Sequence, residues 1–360
     1  MPAKTRKAAG ARTTPRARKK PARTKTSSNR SAKDPGPQLP STRDLASLVR
    51  ELEAIEAEGG ERVLELPTGT LGVSSLNKVF FPRGGQTKGA LMRYYASVAR
   101  EILPAMADRP LVMKRYPNGV KGKAFYQQKA PEDAPASVRV QRVSDVGMTP
   151  QNKLIGGDLA TLLYLVQLGA ISVDPWHSRV QSVTKADYAI IDLDPGAKAP
   201  FARVVEVALA VQEQLDALGL RAVPKTSGAS GIHIVLPLPP GVPNDGARMI
   251  AELVATRVAD AYPRIATIER SVGQRRPGTV YVDFLQNIRG KTVAAVYSAR
   301  ATPEATVSTP LRWAEVAKGL DPRDFTIDNV PARIREVGDL WGECMRKPNS
   351  LDSLGGRQNV

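Results

Sequence analysis

Cysteine and histidine are almost missing from this chain of 360 residues: Cys344 is the one thiol, and His177 and His233 are the two imidazoles. A single cysteine excludes a disulfide framework and a cysteine-rich zinc site, and it fits a reducing compartment. Two histidines are too few for a histidine-rich metal centre. Any metal here must be held by carboxylates, which suits a hard cation such as magnesium or manganese. Long apolar runs are lacking as well. The most apolar stretch, Leu159–Val173, lies between Asp158 and Asp174. It falls short of the ~20 residues of a spanning helix and reads as a buried helix. The N-terminus has no apolar core of the secretory kind. Its repeated prolines (Pro15, Pro21, Pro35, Pro37, Pro40) argue against the amphipathic helix of a transit peptide. No membrane partner is expected.

Acidic residues are nearly absent from residues 1–40, which hold 12 Lys and Arg against one acid, Asp34. The net charge of the whole chain is +17, and that segment supplies most of it. Residues 1–40 also lack large aliphatic side chains apart from Leu39, so they read as a disordered basic tail. A single-signed segment of this kind suits a polyanion such as nucleic acid; a solubilising tail is the plainer alternative. The remaining composition supports one large mixed domain over residues 41–345, followed by a C-terminal tail over 346–360.

Periodicity places the elements. Leu45, Leu48, Val49, Leu52 and Ile55 share a helical face that stops at Gly59-Gly60. Leu91, Tyr95, Val98 and Ile102 trace a second helix, with Thr87 as its N-cap. Further helices are expected over Leu159–Leu168, around Val204–Leu218 and over Ala247–Val258. Strands are expected at Leu111–Lys114, Tyr188–Leu193, Gly231–Leu236, Val280–Leu285 and Thr292–Val296. This order indicates an α/β or α+β fold around a central sheet.

Five segments could carry chemistry. In Tyr188–Gly196 an apolar strand runs into Asp192 and Asp194, whose i, i+2 spacing puts both carboxylates on one face. A divalent cation would relieve their repulsion; a strand end capped by turn residues is the structural alternative. The Lys225-Thr-Ser227-Gly segment, leading to Gly231 and His233, can aim backbone N–H groups at phosphate oxygens, or it can be a plain hairpin with a core histidine. Asp283 lies in a predicted strand and needs a partner there, so it reads as a third metal carboxylate. Lys291 and Arg300 follow it, as triphosphate-neutralising cations or as surface charges. Lys78 and Lys88 flank the N-terminus of the Thr87-capped helix, where free N–H groups and the dipole favour an anion. Lys114 and Arg115 precede Phe125 and Tyr126, a pairing that suits a stacked nucleic-acid base or a local core.

Together these words are specific. From about Leu71 to Leu340 the chain resembles the polymerase domain of bacterial ligase D, of the archaeo-eukaryotic primase superfamily. The resemblance rests on Leu76-Asn-Lys78-Val-Phe-Phe-Pro82, Thr87-Lys88-Gly89 and Lys114-Arg-Tyr-Pro-Asn-Gly. It continues through Asp174-Pro-Trp-His177-Ser-Arg179, Asp192-Leu-Asp194-Pro-Gly and Lys225-Thr-Ser227-Gly-x-x-Gly231-x-His233. Val282-Asp283-Phe-Leu-Gln-Asn, Gly290-Lys291-Thr, Tyr297-Ser-x-Arg300 and Ser308-Thr-Pro-Leu-x-Trp313 complete it.

The resemblance implies an RRM-like sheet carrying Asp192, Asp194 and Asp283 as ligands of two manganese or magnesium ions. It implies that Ser227, His233, Lys291 and Arg300 hold the incoming NTP or dNTP, with Lys114 near its sugar. Lys78 and Lys88 would bind the DNA 5′-phosphate across a gap, and Phe125 and Tyr126 would stack on the template. The implied activity is template-directed nucleotide addition at gaps, breaks and overhangs in non-homologous end joining, favouring ribonucleotides. The implied setting is the bacterial cytoplasm at the nucleoid, with Ku and a separate ligase as partners. Two positions depart from relatives: Asp174 stands where several carry His, and Ser75 where some carry Asn. No Lys-x-Asp-Gly adenylation motif occurs, so the chain itself is not expected to ligate. The rival readings are a catalytically degenerate DNA-end-binding accessory protein, or a phosphatase with Asp192 as nucleophile. The second lacks the Gly-Thr turn such enzymes place after Asp-x-Asp, having Pro195-Gly196 instead.

Overall fold

A computed structural model describes residues 39–145, 148–352 and 354. The basic segment expected to be disordered thus lies almost wholly outside the described residues. Ser41 caps the first helix, Thr42–Glu58, by accepting from Asp44 N, and Gly59 closes it at a φ of 73°. Leu45, Leu48, Leu52 and Ile55 are its buried face, as the spacing predicts.

The centre is a five-stranded sheet. Its strands run in the order Val223–Thr226, Ile232–Pro237, Tyr188–Pro195, Val280–Asp283, Ala266–Thr267. All neighbours are antiparallel except the last pair. Alternation along Tyr188–Pro195 divides the molecule. Ala189, Ile191 and Leu193 face one core, packed with Val204, Ala208, Val211 and Leu215 of helix Phe201–Ala217 and with Ala251, Val254 and Val258 of helix Asn244–Ala261. Tyr188 and Ile190 face the other core, which also holds the first helix. The next two residues on that face are Asp192 and Asp194. The same sheet face therefore changes from core to cleft within one strand.

A second sheet, order Phe125–Gln127, Leu111–Arg115, Asp174–Pro175, supplies another wall of that cleft. It pairs Lys114 with Tyr126 and Val112 with Asp174. Helix Leu159–Gln167 is buried on every side from Leu159 to Val166, and Asp158 caps it through Thr161 N. Among the described residues no helix is long and apolar enough to cross a membrane.

Three expectations change. The helix traced from Leu91 to Ile102 is two helices, Lys88–Ser97 and Ala99–Met106, although the four residues named for its face are all buried. At the junction Ser97 Oγ donates back to Tyr94 O at 2.7 Å, a contact that bends helices. Thr292–Val296 forms no ladder strand. Its backbone is divided among separate partners: a bridge from Thr292 to Trp176, a bond from Ala295 N to Val173 O, and one from Lys225 Nζ to Ala294 O. Packing also continues into the C-terminal tail expected from residue 346. Asn349 is buried and its amide donates to Arg221 O and Pro237 O, both at 2.9 Å.

Candidate active site

Strand register assembles the polar row at the centre of the site. Lys225 pairs with His233, His233 with Asp192, and Asp192 with Asp283, across four adjacent strands. One residue pair back, the row Val223, Val235 and Ile190 is core. Asp194 projects two residues beyond Asp192 on the same face, so the three aspartates converge. Each offers an oxygen within 4.8 Å of the others. Asp192 and Asp283 are buried, and Asp194 is more open.

Neighbouring groups orient this cluster. Asp283 accepts from Leu285 N at 2.7 Å, Gln286 Nε2 at 2.9 Å and Tyr281 OH at 3.3 Å. The Arg275 guanidinium lies 3.7 Å from the Tyr281 ring centroid. Burial, then the charges of Asp194 and Asp283, push the Asp192 carboxyl well above its usual range. Burial and then Asp283 push Asp194 up too. An all-oxygen cluster whose members destabilise one another's charge fits a hard divalent cation, and nitrogen or sulfur donors for a softer metal are missing from it.

His233 is buried, with Nε2 3.3 Å from Asp192 Oδ1 and Nδ1 2.7 Å from Lys225 Nζ. Burial, then the Lys225 and Arg300 charges, hold its pKa well below the ordinary histidine range. Burial likewise lowers Lys225 to about 7, with Arg300 acting in the same sense. His233 is thus neither a solvated base nor a core filler. It stands between a buried cation and the carboxylates.

Of these groups Asp192 and His233 border a cavity of about 380 Å³, which Arg300, Lys114, Tyr126 and Asp174 also line, among others. A larger groove, about 820 Å³, lies on the other side of the Ala229-Ser230 turn but borders none of the three aspartates. Size is therefore not the guide to the chemistry. Lys114 Nζ sits 5.3 Å from the Tyr126 ring centroid, and Arg115 lies over the Phe125 ring at the same separation. Phe125 and Tyr126 are 47% and 69% exposed, which decides against the core alternative. Arg300 reaches the cavity from an irregular turn in which its N–H donates to Thr306 O at 2.8 Å. Gly228 lets that turn approach. At its φ of 70°, an added Cβ would meet Arg300 Cγ at 2.6 Å and Ser308 N at 2.8 Å.

Two expected nucleotide ligands, Ser227 and Lys291, are not among the residues lining this cavity. Ser227 Oγ accepts from Ala229 N and Gly231 N, so it shapes the hairpin that precedes His233. Lys291 is exposed and lies outside the set of residues lining the cavity. Asp174 lines the cavity and accepts from Ser172 Oγ at 2.6 Å. His177 does not take its place. It is buried against the Tyr188 ring, and burial draws its pKa down to about 3.

Lys78 and Lys88 are brought together, with Lys88 N bonded to Lys78 O at 2.8 Å. Lys78 Nζ donates to Asn118 Oδ1 and Lys88 Nζ to Ser74 O, both at 2.8 Å. Burial, then the charge of Lys78, lowers Lys88 to about 8. The expectation of free N–H groups here is not met. Lys88 N and Gly89 N reach Lys78 O and Leu76 O, and Ala90 N reaches the Thr87 hydroxyl. Positive charge at this helix end comes from the two lysines. Ser75 has a φ of 55°, a left-handed conformation that asparagine adopts more readily than serine. Reading the sequence assigns no role to Asn118, Gln286 or Lys225, although each stands inside a motif word.

The model of the family described as LigD, primase-polymerase domain, matches residues 87–341. The chain belongs to the LigD primase-polymerase domain family. The Mycobacterium tuberculosis (strain H37Rv) multifunctional non-homologous end joining DNA repair protein LigD is 36% identical over 279 residues, 74% of this chain and 36% of that protein. The Bacillus subtilis (strain 168) bifunctional LigD is 32% identical over 276 residues, 76% of this chain and 44% of its own length. The chain spans less than half the length of these curated relatives. Among solved structures, the polymerase domain of M. tuberculosis ligase D in complex with DNA superposes with a TM-score of 0.71. That match has 32% identity and covers 78% of this chain and 99% of the other. The α+β fold read from the sequence is the fold of the LigD polymerase domain, with its acidic triad on the central sheet.

Proposed function

We propose that this LigD polymerase domain is a template-directed nucleotidyltransferase that fills gaps and extends DNA ends during break repair. The observation that carries this reading is the cluster of Asp192, Asp194 and Asp283, of which Asp192 lines a cavity whose other walls bear cations and an exposed aromatic, Tyr126. The three aspartates would hold two manganese or magnesium ions. Such ions, when bound, acidify a primer 3′-hydroxyl and stabilise the charge on a departing pyrophosphate. The chain's own residues position the reactants. Arg300 neutralises phosphate charge, helped by Lys291 from the rim. His233 donates from the sheet floor, and Ser227 keeps the hairpin in the shape that presents it. Lys114 approaches the sugar, and we assign a preference for ribonucleotides to this wall. Phe125 and Tyr126 stack on a template base. Lys78 and Lys88 hold the 5′-phosphate on the far side of a gap.

The names of the relatives support non-homologous end joining as the setting; Ku and a separate ligase as partners, and the bacterial nucleoid as location, are part of the same proposal. The test is extension of a gapped duplex carrying a 5′-phosphate, in manganese or magnesium, with ribo- and deoxynucleotides compared. Template-directed addition supports the reading. Tight binding to the gap without any addition would favour a degenerate accessory protein instead.

A further inference from the structure

Lys225 is 1% exposed and lies at the inner end of the polar row, one strand away from His233. Its ammonium has three N–H groups and no acceptor. Three partners surround it: His233 Nδ1 at 2.7 Å, Ala294 O at 3.0 Å and Ser308 Oγ at 2.6 Å. A backbone carbonyl only accepts. Ser308 Oγ gives its own hydrogen to Thr226 O at 2.8 Å, so toward Lys225 it accepts as well. The third N–H is left for His233 Nδ1, which must then offer its lone pair. A neutral imidazole carries one proton, so that proton sits on Nε2, the nitrogen 3.3 Å from Asp192 Oδ1. When Asp192 is ionised, the opposite tautomer would set a nitrogen lone pair against a carboxylate. Both neighbours of the ring therefore select one arrangement.

We propose that Lys225 is a positioning residue: it fixes His233 as the Nε2–H tautomer and locks the ring so that this N–H faces the cavity. The consequence is a donor at the floor of the site that adds no positive charge next to the metal-binding carboxylates. Its acceptor is an oxygen of the incoming nucleotide's phosphates, a clause that rests on the polymerase reading above. Lys225 reaches the nucleotide only through His233. Its burial behind the strand and its three saturated bonds leave it no other route.

The test is nitrogen-15 NMR of the full chain labelled at histidine, on the acid side of neutrality. With two histidines in the sequence, a His233→Ala variant assigns the signals. The expected wild-type spectrum has a bare, hydrogen-bonded Nδ1 and a protonated Nε2 for His233. A protonated Nδ1 overturns the proposal, and this arm needs no variant at Lys225. In Lys225→Met the Nδ1 resonance should move to the position of an unbonded nitrogen. The KM for nucleotide should rise roughly tenfold with kcat and gapped-DNA affinity nearly unchanged, as expected when one hydrogen bond is removed. Lys225→Gln, which keeps a donor, should recover part of that loss. An unmoved Nδ1 resonance, or a parallel fall in DNA affinity, overturns the positioning role. A wild-type chain that adds no nucleotide would sink the polymerase reading while leaving the tautomer measurement intact.

Discussion

Asp192 and His233 are directly opposed on neighbouring antiparallel strands, and His233 Nε2 lies 3.3 Å from Asp192 Oδ1. Backbone pairing fixes that opposition. A slip of one residue would turn Asp192 into the helix-packed core and bring Leu193 into the cleft, because side chains alternate along a strand. Ile191 and Leu193, both fully buried, hold the strand against such a slip from the helix side. The site is thus kept in place by the same register that separates the two cores.

The three aspartates oppose one another until a cation binds. Asp192 and Asp194 have raised pKa values in the fold, so their ionisation destabilises the metal-free protein. The sign follows from the raised values. Their contribution to stability is greatest at low pH and is lost as pH rises from the ordinary aspartate range through the raised pKa. Asp192→Asn should therefore raise the melting temperature of metal-free protein near neutral pH. It should also remove the further rise that manganese gives the wild type. Thermal melts with chelator and with manganese check both, and a lower metal-free melting temperature for the variant would refute the electrostatic account.

Nucleotide addition should depend on each member of the cluster. Asp192→Ala, Asp194→Ala and Asp283→Ala should each lower the rate at least about a thousandfold, several kcal/mol of barrier. Circular dichroism and gapped-DNA affinity should stay near wild type. Near-normal extension by any one variant would remove that residue from the assignment.

Much of this site is legible in the chain, and the limits have physical causes. Asp192 and Asp194 stand i, i+2 in an apolar run, so their shared face follows from strand geometry alone. That Asp283 and His233 flank Asp192 does not follow, because it depends on register between segments 41 to 91 residues apart, which no local pattern encodes. The exposure of Phe125 and Tyr126 is equally open in the sequence, since aromatics serve cores and stacking surfaces alike. Lys88 reads as an anion-binding lysine at a helix N-terminus, and only the packing around Ser74 shows it to be buried. Thr292–Val296 reads as a strand by composition, yet its backbone groups bond to several segments in turn.

The lysine pair makes a pH-dependent prediction. Lys88 is lowered to about 8, so its charge is full below that pH and lost above it. The preference for gapped DNA with a 5′-phosphate over the same DNA without it should shrink as pH rises beyond about 8, with the midpoint displaced upward in the complex by the bound phosphate. Lys78→Ala and Lys88→Ala should each weaken the phosphorylated substrate by about 1.5–3 kcal/mol and the unphosphorylated one much less. Equal losses on both would mark general backbone contacts.

Phe125 and Tyr126 should act on the template strand. Each carries a cation over its ring, from Arg115 and Lys114, and each is solvent-exposed. Removing either ring by Ala should weaken binding to templates with an unpaired base by ~1–3 kcal/mol, without a large change in the melting temperature. A collapse in stability would show that the rings support the fold instead.

Residues 1–40 carry 12 cations and one acid, and their role rests on charge alone. If they clamp DNA, they release counterions from it and read no sequence. Deleting them should leave the rate at saturating DNA nearly unchanged. It should weaken DNA binding, most at low salt, where screening is least. The slope of log affinity against log salt should become shallower by about 0.9 for each duplex phosphate that the shortened protein leaves unneutralised. A titration of full-length and truncated protein on one gapped duplex across a salt series decides it. Superimposable curves would mean that the segment does not touch DNA, and its charge would then have to serve solubility or another partner.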